Sequence, residues 1–215
     1  MKLAWGLFAS ALILAMPALA VTRPHVVVFG RWTTIKLQAD DGNSAQDVKV
    51  RALLVDGKTK EFTVGPAHEI TDHTFTVQRI FRMNDSLPQE AGPTRWRWER
   101  GGWLLVDRLS GRAQPIALPD FDPGSSQASW FRDYVAYCGT SDDGQKMFAV
   151  IVQAGKRKPL LKKGLLEQPE NCAAPVWQRG PVRVTFTTKG DPKLTFTVTS
   201  RAVDLASEDE SEGEE

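Results

Sequence analysis

Histidine, cysteine and tyrosine are scarce in this chain: three, two and two residues among 215. That scarcity excludes several chemistries at once. A zinc or copper site needs three or four nitrogen, sulfur or carboxylate ligands held in geometry. The only cluster of histidines and acids is His68-Glu69 with Asp72-His73, and His25 is the one further histidine. His68 and His73 are therefore weak metal candidates, and loop polarity explains them equally well. There is no Cys-x-x-Cys pair to support a redox or zinc role. A Gly-x-Ser-x-Gly elbow, a Ser-x-x-Lys ahead of a helix and a phosphate-cradling glycine loop are missing too. No cofactor is expected.

Helical periodicity is also lacking. No segment of ten or more residues repeats at helical spacing between caps, and the nearest, Lys158 to Leu166, is cut by Pro159 and Gly164. Long apolar runs are confined to the start. Lys2 precedes an apolar stretch from Leu3 to Met16, then Pro17-Ala18-Leu19-Ala20. One positive charge, an apolar core and small residues at the last and third-last positions are the layout of a secretory signal with an Ala-x-Ala site. Pro17 breaks the run before the roughly 20 residues that a bilayer crossing needs. The expectation is a signal peptide over 1–20, cleavage after Ala20, and a periplasmic or secreted product with no stable membrane span. Val21 rather than cysteine follows the site, which disfavours lipid attachment.

Without the leader the chain has 26 basic and 26 acidic residues, but six of the acids lie in Glu208 to Glu215. The body then carries a formal +6 and the end reads as an acidic, disordered tail over 207–215. The basic residues are scattered through loops. No continuous basic stripe of the kind nucleic-acid binding requires is present, so nucleic acid is not an expected partner. In an exported chain, a lone pair of cysteines predicts one disulfide, Cys138–Cys172.

Between leader and tail the pattern is that of strands and tight turns, one β-rich domain over 21–206 with a possible sub-division near 84–94. Val48, Val50, Ala52 and Leu54 share one strand face, and Asp56-Gly57 supplies turn chemistry before Phe62 and Val64. Phe75, Val77, Phe81 and Met83 share another, interrupted by Arg79, which must reach solvent or find a partner. Tyr134 to Thr140 and Met147 to Val152, with Asp143-Gly144 between them, are apolar on both faces, as strands covered on each side are. Val182, Val184 and Phe186 alternate with polar residues, Lys189-Gly190-Asp191-Pro192 turns the chain, and Leu194, Phe196 and Val198 alternate back. The expected fold is all-β: antiparallel meanders of about ten to twelve short strands in a sandwich or an open, blade-like sheet assembly.

The stretch Ala128-Ser129-Trp130-Phe131, Tyr134 to Thr140, the Ser141 to Gln145 turn, Met147 to Val152 and Arg157 to Leu161 resembles one four-stranded propeller blade of the TolB-like repeats. Trp96 to Leu118 reads as a degenerate second blade. The chain as a whole is similar to exported β-rich proteins of bacteria. The likeness implies sheet order and nothing about substrate or partner. Blades take roughly 40–45 residues and closure needs at least four, so a closed propeller ranks below an open assembly.

Aromatic residues carry the functional lead. Beyond the leader there are six tryptophans: Trp32, Trp96, Trp98, Trp103, Trp130 and Trp177. Trp96 and Trp98 are two apart, so in a strand they share a side while Arg95, Arg97 and Glu99 point to the other. Exposed, that pair with its arginines would stack on sugar rings or a peptide. The cost of an exposed tryptophan stripe favours the core instead. Glu99, Asp107, Asp120, Asp122, Asp133 and Asp142 are candidates for a hydrolase pair, which needs two acids at a set distance with separated pKa values. Turns account for several of them. The expectation is a non-enzymatic β-domain that binds an envelope component or a protein, or serves structurally. The alternative is a hydrolase of an envelope glycan.

Overall fold

The computed structural model describes residues 24–38, 44–165, 172–189, 193–199 and 202–205. The expected leader, the acidic tail and the 190–192 part of the last turn lie outside them. Fifteen strands form three antiparallel sheets, and no helix occurs among the described residues. The fold is all-β, as the patterning predicts. The strands beyond the expected number are three- and four-residue pieces, too short to display alternation.

The first sheet contains β1 (Val27–Phe29), β2 (Thr33–Gln38), β3 (Ala45–Val55), β4 (Lys58–Glu69), β5 (Thr74–Asn84), β6 (Trp96–Asp107) and β7 (Arg112–Pro115). From β3 to β7 it is a simple meander, while β1 and β2 pair with the two halves of the free edge of β3. Asp56 and Gly57 both take left-handed φ angles, 51° and 76°, as a two-residue hairpin turn between β3 and β4 demands. The 84–94 segment joins β5 to β6 within this one sheet, since Asn84 pairs with Trp96.

Both faces of this sheet bury apolar clusters. On one, Leu53, Phe75, Val77, Leu104 and Val106 pack with Phe29. On the other, Val48, Val50 and Ile80 pack with Ile35, Leu37, Val64 and Trp98. A bulge makes β6 serve both: Gln78 pairs with Trp103 and Ile80 with Arg100, so Gly101 and Gly102 together face Arg79. Side-chain parity flips there, sending Trp98 to the opposite face from Leu104. The sheet curls over the second cluster until β2 approaches β6, although no hydrogen-bonded ladder joins them. Arg79 does both things its position allowed: it stays partly exposed, pairs with Glu61 at 2.9 Å and lies over Phe81.

A second sheet has the order β11 (Leu161–Leu165), β10 (Met147–Gln153), β9 (Tyr134–Thr140), β8 (Ser129–Phe131). The third runs β12 (Val176–Arg179), β13 (Val182–Phe186), β14 (Leu194–Val198), β15 (Val203–Leu205). These two form a sandwich: Ala136, Cys138, Met147, Ala149 and Ile151 meet Val184, Phe186, Phe196 and Val198. The outer face of the second sheet, with Val135, Tyr137, Val150 and Val152, is closed by Leu118 and Phe121 from the loop after β7. Strands β9 and β10 are thus covered on both sides, as their double-faced apolar sequence requires. β8 is the joint between all three sheets. Its Trp130 stacks on His68 and tilts against Trp103 of β6, while Phe131 stacks on Trp177 of β12.

The Cys138–Cys172 disulfide is formed, linking β9 to the segment that enters the third sheet. Its presence is compatible with an oxidising compartment.

Arg108, just past β6, donates to both carboxylate oxygens of Glu69 at 2.8 Å each and lies 4.5 Å from the Phe75 ring centroid. Those hydrogen bonds hold the Glu69 carboxyl below its ordinary pKa. A depressed carboxylate contributes stability that is present above the unfolded-state pKa and lost as pH falls through the folded value. The pair is solvent-exposed, so Glu69→Gln is expected to cost at most about 1 kcal/mol at pH 7. The variant should also lose less stability than the parent between pH 6 and pH 3. Urea midpoints of both proteins across that range check this.

Candidate functional site

Trp96 and Trp98 stand at the start of β6, on the face towards which the sheet curls. Their positions differ in depth. Trp98 is half-buried, resting edge-on against Phe62 of β4 with ring centroids 5.3 Å apart. Trp96 is 54% exposed. Arg82 of β5 pairs in register with Trp98 and extends its guanidinium to both indoles, 5.4 Å from the Trp96 centroid and 5.8 Å from that of Trp98. Phe62, Trp98, Arg82 and Trp96 thus make one aromatic and cationic surface across β4, β5 and β6.

The expectation that the indoles are internal filling holds for Trp103, Trp130 and Trp177, which pack between sheets. It is corrected for Trp96 and for Trp32, 47% exposed. Trp96 is the first residue of β6, paired with Asn84 at the end of the β5–β6 ladder, beyond the cluster that takes Trp98. Trp32 has its own support, with the Arg51 guanidinium sandwiched between it and Phe29 at 4.3 and 3.7 Å from the ring centroids. Burial there lowers the Arg51 pKa.

Beside Trp98 opens a cleft of about 790 Å³ between the end of β2, the start of β6 and the Asp122–Gly124 turn. Its size lies in the range of ligand sites, roughly 300–1,000 Å³. Leu37, Pro123 and Trp98 give it an apolar wall, and the remaining lining is polar: Gln38, Gln46, Asp85, Glu99, Arg100 and Asp122 among others. Arg97 pairs with Glu99 and with Asp85, the latter at 3.7 Å, and Arg95 pairs with Glu90 at 3.0 Å. Both arginines are therefore engaged in ion pairs, and Arg97 with Asp85 and Glu99 lines the cleft beside Trp98.

The other candidate acids have structural employment. Asp107 accepts from the Ser110 hydroxyl at 2.7 Å and the Leu109 N–H at 2.8 Å, and these bonds keep its carboxyl below the ordinary value. Asp120 pairs with Lys162 at 2.8 Å. Asp122 accepts from Gly124 N–H and Ser125 Oγ within its own turn. Asp133 accepts from Gln153 at 2.7 Å, and Asp142 is exposed in the β9–β10 turn. Glu99 and Asp122 nevertheless line the same cleft.

His68 and His73 are used apart. The His68 Nε2 hydrogen-bonds the Arg132 carbonyl at 2.7 Å, and His73 is exposed in the β4–β5 turn. Among the described residues no three histidine, cysteine or acidic side chains converge as a metal site. Nor is there, among those residues, a helix long and apolar enough to cross a membrane.

Sequence reasoning missed Arg82, Phe62, Gln38, Gln46 and Arg100. The Gly101-Gly102 pair was the available signal, because adjacent glycines inside a strand mark a bulge and a change of face. No protein-family model, no curated protein and no solved structure matches this chain.

Proposed function

We propose that this chain is an exported, non-enzymatic β-domain that binds a component of the cell envelope through the Trp96/Trp98 face. One observation carries the reading: Trp96 is held in the open, beside a second indole and under an arginine that reaches both. A lone exposed tryptophan is ordinary on a protein surface, but Trp96 adjoins Trp98, Phe62 and the Arg82 guanidinium, and contiguous aromatic patches rimmed by polar groups mark interaction sites. The leader-like first twenty residues and the disulfide support export.

A hydrolase at the same cleft draws on Glu99 and Asp122, which both line it. Against it, Glu99 is held by Arg97 and Asp122 by its own turn. Reducing-end release from envelope glycan separates the two readings: turnover that Glu99→Gln abolishes supports the hydrolase, and retention on envelopes without turnover by the parent protein supports the binding domain.

The binding reading predicts that the processed protein co-sediments with isolated cell envelopes. Trp96→Ala should reduce the bound fraction about tenfold, the loss expected of an anchor residue worth about 1–2 kcal/mol. Equal sedimentation of the two proteins contradicts the reading.

A further inference from the structure

The cleft beside Trp98 offers many hydrogen-bonding groups and little net charge. Arg97 is shared between Asp85 and Glu99. Asp122 already takes two donors from its own turn. The lining as a whole sets three acids against two arginines, close to balance, so it presents no excess of one charge to an ionic ligand. What remains available is of another kind. Gln38 and Gln46 are exposed amides, each able to donate and to accept. The Arg100 side chain lines the cleft with its Nε enclosed and without a protein partner. Hydroxyl groups also both donate and accept, so a ligand dense in them matches this lining without a charge of its own.

The wall points the same way. Trp98 lines the cleft, and Trp96, two residues along the same strand face, stands exposed beside it. An extended peptide would instead be captured by adding a strand to a sheet edge. That capture works through backbone hydrogen bonds, whereas the polar groups this cleft offers are side-chain amides, carboxylates and guanidinium groups. Nucleic acid would need a net positive surface, which three acids against two arginines in the lining do not supply.

We propose that this cleft binds a neutral glycan, with its hydroxyls meeting Gln38, Gln46 and Arg100 and its sugar rings lying along Trp98 and Trp96. The assignment rests on the binding-surface reading above and names the chemical class of its ligand.

The test is titration calorimetry of the processed protein with chitotetraose, cellotetraose and maltotetraose, beside sedimentation with isolated envelopes. Gln46→Ala and Trp96→Ala both alter exposed side chains, so neither disturbs the core. At least one oligosaccharide should bind saturably. Each variant should weaken it about five- to tenfold, the equivalent of one lost hydrogen bond or stacking contact. Saturable binding that both variants leave unchanged places the saccharide elsewhere and overturns the assignment. If no oligosaccharide binds but envelopes retain the parent and release Trp96→Ala, the neutral glycan is overturned and the binding surface stands. If neither oligosaccharides nor envelopes bind, both readings fall.

Discussion

Tyr137→Ala is expected to lower stability by about 3–5 kcal/mol, a large part of the roughly 5–15 kcal/mol that separates folded from unfolded domains. Tyr137 is fully buried on β9, where the loop after β7 closes the second sheet. Its ring meets Phe121 edge-on at 5.2 Å between centroids, and its hydroxyl donates to the Pro119 carbonyl at 2.7 Å. Burial drives its pKa well above the ordinary tyrosine value, so the hydroxyl stays a donor throughout the working range. Removing the side chain empties space that β-sheet backbone cannot collapse to fill. Tyr137→Phe leaves the packing and removes only the hydrogen bond, for about 1–2 kcal/mol. Urea denaturation of the three proteins checks the ordering. A Tyr137→Ala protein as stable as Tyr137→Phe would mean that the 116–128 loop does not close this face.

The disulfide is the second large contribution. Cys138 lies within the sandwich core on β9, and Cys172 is bridged by backbone to Thr188 beyond β13. The covalent link therefore ties the two halves of the sandwich across a segment of 35 residues. For a loop of that length, chain entropy alone gives about 3–4 kcal/mol. Reduced protein should unfold at correspondingly lower denaturant concentration than oxidised protein, with β content retained in buffer. A midpoint shift worth under about 1 kcal/mol, or two titratable thiols in material prepared from the periplasm, would contradict this account.

The parts of the fold that were legible are those where one face alone decides the pattern. β13 and β14 alternate cleanly, as read, and the structure pairs Val184 with Phe196. The double-faced runs of β9 and β10 announced burial on both sides before any partner was known. Legibility ended where the chain changes face. Val48 and Val50 lie together as expected, but the next fully buried residue on β3 is Leu53, on the opposite side. On β5 the same happens between Val77 and Ile80. A sheet that buries both faces at different points along its strands mixes two period-two patterns, and neither can be read through the other. The candidate site suffered for that reason. The Trp96/Trp98 pair and its shared direction were visible, whereas Arg82 meets it through the β5–β6 register, and Gln38 and Gln46 approach Trp98 only through curling of the sheet.

The side-chain N–H signals of Trp96, Trp98 and Trp177 test the central claim most directly. The Trp177 Nε1 donates to the Ser129 carbonyl at 3.0 Å, which makes it an internal reference. In a nitrogen–proton correlation spectrum, with each indole assigned by its Trp→Phe variant, solubilised envelope extract should shift Trp96 and Trp98 and leave Trp177 in place. Shifts confined to Trp177, or equal small movements of all three, would contradict a binding surface at the start of β6.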